Sequence, residues 1–263
     1  MIPEFWHRQT KETPLYPDME WSRPENKLYA GKLLVIGGNL HGFAAAASAY
    51  TEAEKSGAGT VRALLPDALR KTVGKVFVAG EFAPSTPSGS FGRQSLAELL
   101  AFSAWADGVL LAGDFGRNSE TAIVLETFAQ KHSGQLTIAK DATDYFAVEP
   151  KNILGRADTL LVVSMAQLQK IGVQARFPKA FTYGMDLIRL VEMLHDFTLE
   201  YQAHVIVKHL DTLVVAVNGE VSTTKLQADR AIWRVTAASH ASVWWMQNPS
   251  KPFEALTCAM LAL

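Results

Sequence analysis

The sequence predicts an α/β protein of three layers, a mostly parallel sheet covered by helices on both faces. Short apolar runs bounded by glycine suggest buried strands, and the stretches between them carry apolar residues at helical spacing. Size agrees: 263 residues with 48% hydrophobic and 19% charged side chains supply a large core. The same composition excludes a disordered tail, a collagen-like repeat or a coiled-coil rod. Residues 31–263 read as one domain preceded by an N-terminal arm, 1–30.

In that arm, Pro3, Pro14, Pro17 and Pro24 disfavour regular elements, while Trp6 and Trp21 offer aromatic anchors. LLVIGG (33–38) is a buried strand, 43–56 a helix, TVRALL (60–65) a strand and 96–105 a helix. GVLLAG (108–113), QLTIA (135–139) and TLLVV (159–163) follow as strands, with a helix at 121–131. In 185–201, Leu187, Leu190, Val191, Leu194 and Phe197 share a face that excludes Arg189, Glu192 and Asp196, which predicts a long surface helix. HVIVKH (204–209) and TLVVAV (212–217) are strands, and Asn218-Gly219 suits a hairpin turn. Beyond it the sequence reads as helical to its end, broken near Asn248-Pro249. The segment GEFAPSTPSGSFG (80–92) reads as a loop, either a cover over the sheet end or a solvated excursion.

Twenty-five Lys+Arg against 26 Asp+Glu leave a formal charge of −1, so no global field draws the chain to nucleic acid or an anionic membrane. The single cysteine, Cys258, cannot form an internal disulfide or a multi-thiolate metal site, which fits a reducing compartment. Glu4, His7, Arg8, Lys11 and Glu12 stand where a secretory signal needs an apolar core. The longest uncharged run, 33–51, is split into a strand and a helix by Gly37, Gly38, Asn39, His41 and Gly42. These features predict a soluble cytoplasmic protein, expected as a homo-oligomer, with a small-molecule partner and no nucleic acid, membrane or metal.

The segment KLLVIGGNLHGFAAAASAYTEAEKSGAGTVRALLP (32–66) resembles the opening βαβ unit of the ADP/ATP-dependent NAD(P)H-hydrate dehydratases, a branch of the ribokinase-like superfamily. DGVLLAGDFGRNSETA (107–122) resembles the family's GPGLGR segment, keeping Gly116-Arg117 and carrying Ala112-Gly113-Asp114 in place of Gly-Pro-Gly. LTIAKDATDYF (136–146) is similar to the VLDADALNLL region, with Asp141 kept and Ala139 at the earlier Asp. VIVKHLDTLVVAVNGE (205–220) is similar to the LKGAGT strand pair, with Lys208 and Thr212 kept and His209 and Asp211 at the glycines. The resemblance implies a ribokinase-like fold that binds ADP or ATP and a hydrated nicotinamide dinucleotide at the carboxyl ends of its strands. It places Ala45 and Gly116 at the dinucleotide and Lys208 and Thr212 at the adenine nucleotide. Lys208 equally suits a strand-edge lysine holding its ammonium in water. Gly37 and Gly38 suit either backbone approach to a ligand or a simple turn.

The departures bear on catalysis. Family members place a GSGD segment at the N-terminus of a late helix, where free backbone N–H groups and the helix dipole hold phosphate. Here no glycine follows Gly219, and the corresponding region, DRAIWRVTAASHASVWW (229–245), sets Trp233, Arg234 and Val235 near the expected loop. No carboxylate lies between Asp229 and Glu254. The TPHPGE turn aligns with VVSMAQ (162–167), so its His and Glu are missing. The expectation is a degenerate dehydratase-like protein that binds a nucleotide or dinucleotide, with catalysis weakened or lost. One alternative is an active dehydratase, a lyase, or a related kinase using a relocated carboxylate, with Asp141 as the catalytic candidate. Another is an interaction protein with Trp244-Trp245 in a subunit interface. Asp141 and Asp144 also suit capping roles, and His240 a structural one. His204 and His209, five apart on a strand, face opposite sides and so form no metal pair.

Overall fold

The computed structural model describes residues 3–74, 77, 79–226 and 233–263. Its first half runs β1 (Trp6–Gln9), α1 (Pro17–Trp21), β2 (Lys32–Gly37), α2 (Ala44–Lys55), β3 (Thr60–Pro66), α3 (Arg70–Val73), β4 (Gly80–Ala83), α4 (Leu96–Trp105) and β5 (Gly108–Gly113). Then come α5 (Ser119–Lys131), β6 (Gln135–Ala139), α6 (Ala142–Phe146), α7 (Lys151–Leu154), β7 (Thr159–Val163), α8 (Met165–Ala175) and α9 (Leu187–Glu200). The chain ends with β8 (His204–His209), β9 (Thr212–Val217), β10 (Glu220–Lys225), α10 (Trp233–Gln247) and α11 (Pro252–Leu261).

These strands form one sheet in the order β1-β10-β9-β8-β7-β6-β5-β2-β3-β4, parallel except where β9 pairs with β8 and with β10. Strand β2 shows why its sequence is apolar throughout. Leu33 and Val35 pack into one core and Leu34 and Ile36 into the other, so both sides of the pleat are dry. Helices α4, α5, α8 and α9 cover one face, and α2, α10 and α11 cover the other. Helix α10 runs over β5, β6 and β7 and is packed between α2 and α11, which is why it is buried on nearly every side and its small Ala and Ser residues recur. Three layers follow, as the sequence predicts.

The order also fixes where a ligand cleft can lie. From β2 the chain moves outward through β3 and β4, and it returns to the other side of β2 to lay down β5, β6, β7 and β8. Open parallel sheets of this kind bind ligands at the carboxyl ends of the strands flanking such a reversal, here β2 and β5. A side chain at Gly37 would put its Cβ 2.5 Å from the Gly113 carbonyl oxygen, so glycine is what lets these two strand ends meet.

Several elements differ from the sequence-based expectation. The N-terminal arm contains β1 and α1: β1 joins the sheet parallel to β10, with Trp6 Nε1 donating to Thr223 Oγ1 at 3.1 Å and Gln9 Nε2 to Thr224 Oγ1 at 2.8 Å. Its partners lie more than 200 positions away, so no local pattern announces it. Pro17 sits at the start of α1, where a missing N–H costs nothing. Trp6 is buried as an anchor should be, whereas Trp21 is 88% exposed. Residues 80–83 form β4 instead of loop, and β10 occupies the start of the segment expected to be helical. Trp244 and Trp245 lie in the core of this chain, so they do not present an interface.

Candidate active site

At the reversal, the carboxyl ends of β2, β5, β6 and β7 converge on a polar cluster. Gly38 N–H donates to Gly113 O at 3.0 Å, and the chain then turns through Asp114, whose φ is +60°. This brings the Asp114 carboxylate to the start of α2, where Oδ2 accepts from Ala45 N–H at 2.7 Å. Its Oδ1 takes the Lys140 ammonium at 2.7 Å. Asn39 Nδ2 donates to the Asp114 carbonyl at 2.5 Å.

Asp141 supports the same loop from β6. Its Oδ1 accepts the Asp114 N–H at 2.6 Å and its Oδ2 accepts the Phe115 N–H at 2.9 Å. Burial pushes the Asp141 carboxyl above the usual carboxylate range and the nearby Asp114 charge adds to this, while the backbone N–H bonds pull the other way. A Cβ on Gly113 would approach Asp141 Oδ1 to 2.7 Å, so the contact depends on glycine there.

Gln167 extends the network to β7 and α10. Its Nε2 donates to Lys140 O at 2.7 Å and to Asp144 Oδ1 at 3.2 Å, and its Oε1 accepts from Ser164 N–H at 3.1 Å and from Arg234 at 2.9 Å. Burial lowers the Arg234 pKa, and Asp144 and Asp141 partly restore it. VVSMAQ is therefore the entry to α8: Ser164 caps the helix and Gln167 returns the bond, a capping box.

Beside the cluster lies a cavity of about 480 Å³ bounded by Gly116, Arg117, Asn118, Asp141, Asp144 and Tyr145. The Tyr145 hydroxyl donates to the Gly116 carbonyl, and Gly116 has φ +78°. Residues 84–92 are neither free cover nor solvated excursion, because Thr86, Ser90 and Phe91 are buried. Asn118 Nδ2 donates to Ser88 Oγ at 2.8 Å and Leu40 N–H to Gly89 O at 2.9 Å, tying this segment to both loops of the reversal.

Asp141, Ala45 and Gly116 thus belong to one neighbourhood, with Asp114 linking the first two. Lys208 and Thr212 lie at the β8–β9 turn, on the same edge of the sheet but two strands beyond β6, about 10 Å away at ordinary strand spacing. Thr212 Oγ1 donates to Asp211 Oδ1 at 3.1 Å. Lys140 and the paired roles of Asp114 and Gln167 were missed from sequence, although S-x-x-Q is a recognisable box.

Residues 233–247 are helical, so Trp233, Arg234 and Val235 form the first described turn of α10 and Thr236, Ala237 and Ala238 continue it. Asp229 lies outside the described residues. His240 is buried and faces α2, with Nε2 3.4 Å from Glu52 Oε2. His204 packs edge-on to Trp245 while His209 bonds Met185 O at 2.9 Å, placing the two on opposite faces. Among the described residues no group of three or more His, Cys, Asp or Glu side chains could hold a metal ion, and no helix is long and apolar enough to cross a membrane.

No protein-family model and no curated protein matches the sequence. Solved structures do match. A ribokinase-like superfamily protein from Enterococcus faecalis superposes with a TM-score of 0.71 at 14% identity, covering 99% of this chain and 87% of its own. A hypothetical protein from Streptococcus mutans gives 0.71 at 14% identity over 99% and 88%. The ADP/ATP-dependent NAD(P)H-hydrate dehydratase from Bacillus subtilis, co-crystallised with ATP and Mg²⁺, gives 0.60 at 13% identity over 94% and 86%. On this likeness the chain has the ribokinase-like fold.

Proposed function

We propose that this chain is a degenerate relative of the NAD(P)H-hydrate dehydratases that binds a nucleotide or dinucleotide along the carboxyl edge of its sheet and has weak or no turnover. The observation that carries this reading is the engagement of Asp141: both carboxylate oxygens accept backbone N–H groups, from Asp114 and Phe115. A general base must reach the proton it removes, within about 2.6–3.2 Å, and a carboxylate committed to two main-chain donors serves first as a brace for the loop. Ala45 and Gly116 are assigned to the dinucleotide portion, and Lys208 and Thr212 to ADP or ATP. The Bacillus subtilis neighbour supports the ligand class, since it was crystallised with ATP. Titration calorimetry with ADP, ATP, NADH and hydrated NADH tests this. Heat and a thermal shift with at least one are expected, and neither with any of them rejects the reading.

One observation favours active turnover instead. Asp141 lines the cavity, and burial pushes its pKa upward, the direction that suits a proton-exchanging carboxyl. Recovery of NADH absorbance from its hydrate, dependent on ADP or ATP and abolished in Asp141→Ala, is the result that reading requires. Homo-oligomerisation is part of the same proposal and is measured by light scattering after size exclusion, where a monomer counts against it.

A further inference from the structure

We infer that Asp114 sets the charge selectivity of the cleft by acting as a built-in anion at the β2/β5 reversal. The inference goes beyond the nucleotide reading and rests on it only for the location of the cleft. Where parallel strands reverse, the helix following the first strand presents backbone N–H groups that suit an anionic ligand group. In this chain Ala45 N–H, at that helix start, is taken at 2.7 Å by Asp114 Oδ2. The nearest ammonium, Lys140, is taken at 2.7 Å by the other oxygen of the same carboxylate.

The carboxylate is held through both oxygens, and its backbone is held as well. Its residue sits in the left-handed region between Gly113 and Gly116, which also have positive φ. Its N–H is bound by Asp141 and its carbonyl by Asn39. Side-chain and main-chain polar groups are all engaged, so Asp114 cannot swing away without breaking several bonds together. A phosphate approaching this point would meet two carboxylates, Asp114 and Asp141, and an ammonium already neutralised. Like charges in a part-buried site repel with little screening, so the phosphate is excluded. Ligands are then admitted to the neighbouring cavity only by groups that are not anionic at the reversal.

Inorganic phosphate is the probe, compared with chloride at equal ionic strength in calorimetry and thermal melts. The wild-type midpoint should respond to both salts alike. Asp114→Gly, whose backbone suits φ +60°, and Asp114→Asn, which keeps an acceptor for Ala45 N–H but loses the charge, should bind phosphate at least tenfold more tightly than wild type. Lys140→Met in the Asp114→Gly background should cancel the gain. Wild-type protein stabilised by phosphate above chloride overturns the inference, as does a folded Asp114 variant with no gain in phosphate affinity. If neither variant folds, the wild-type salt comparison still decides. Failure here leaves the nucleotide titrations untouched, and silence in those titrations leaves this result standing.

Discussion

Asp141→Asn tests the brace role quantitatively. In the wild type the carboxylate accepts at 2.6 Å from Asp114 N–H and at 2.9 Å from Phe115 N–H. Asparagine retains one oxygen acceptor and turns an NH₂ against the other main-chain donor, so one charge-assisted bond is lost and one part-buried N–H is left facing a donor. A hydrogen bond to a charged group contributes about 1.5–3 kcal/mol, and burying an ionised carboxylate opposes it, so a net loss of about 2 kcal/mol is expected. For a chain of this length that is a fall of about 4–8 °C in Tm. Urea denaturation followed by tryptophan fluorescence, at fixed pH and salt, measures it. The pH dependence adds a signature. The folded-state pKa of Asp141 is raised, so its protonation favours the native form. That contribution is complete below the ordinary Asp range, is lost as pH rises through the raised value, and is absent in Asp141→Asn. A variant within about 0.5 kcal/mol of wild type at neutral pH, with an unchanged pH profile, would refute the brace.

His204 is buried and its pKa is pushed down to about 4 by loss of solvation. Its neutral form is native, so stability is complete above about pH 6.5 and falls as pH drops toward 4, by about 3 kcal/mol in all. His204→Gln should flatten that stretch of the curve in urea titrations, and an unaltered slope counts against it. Gly113→Ala forces a Cβ to 2.7 Å from Asp141 Oδ1 at φ +113°, and should cost about 2–4 kcal/mol; a neutral result would mean the loop has room to move. Trp245→Ala empties a core site between α10 and His204 and should cost about 3–5 kcal/mol in equilibrium unfolding without changing oligomeric mass. A changed mass with native stability would restore the interface reading.

The strands from β2 to β9 were legible, apart from β4, because residues buried on both faces leave an almost unbroken apolar run in sequence. Leu33 to Ile36 in β2 and Leu160 to Val163 in β7 are all buried. Helix α4 matched even to its ends. Strand β10 was illegible for the opposite reason. Ser222, Thr223 and Thr224 are buried but polar, satisfied by Thr257, Trp6 and Gln9 from elsewhere in the chain, so no hydrophobic alternation marks them. Helix α8 is marked in the sequence only by its capping pair, Ser164 and Gln167, a two-residue signal that is easily overlooked. The cluster itself depends on a left-handed Asp114, on the register of β5 with β6 and on Lys140 at φ +53°, none of which is written in residue type or spacing.

These hidden features change what the visible motifs mean. Gly37, Gly38 and Gly116 resemble glycines that make room for a ligand, yet Gly37 makes room for the Gly113 carbonyl, and a side chain at Gly116 would meet Ser90 and Asn39. The glycines at the reversal therefore serve internal closure, and the same closure brings Asp114 onto Ala45. With Ala45 N–H already bound by Asp114, the free protein is organised at β2 and β5 without a ligand. On the proposed reading, contacts along the rest of the edge, from the cavity beside Asp141 and Asp144 toward the β8–β9 turn, would supply most of a ligand's stabilisation. Asp141 and Asp114 act in the same direction, because both carboxylates hold loops in place through bonds within the chain.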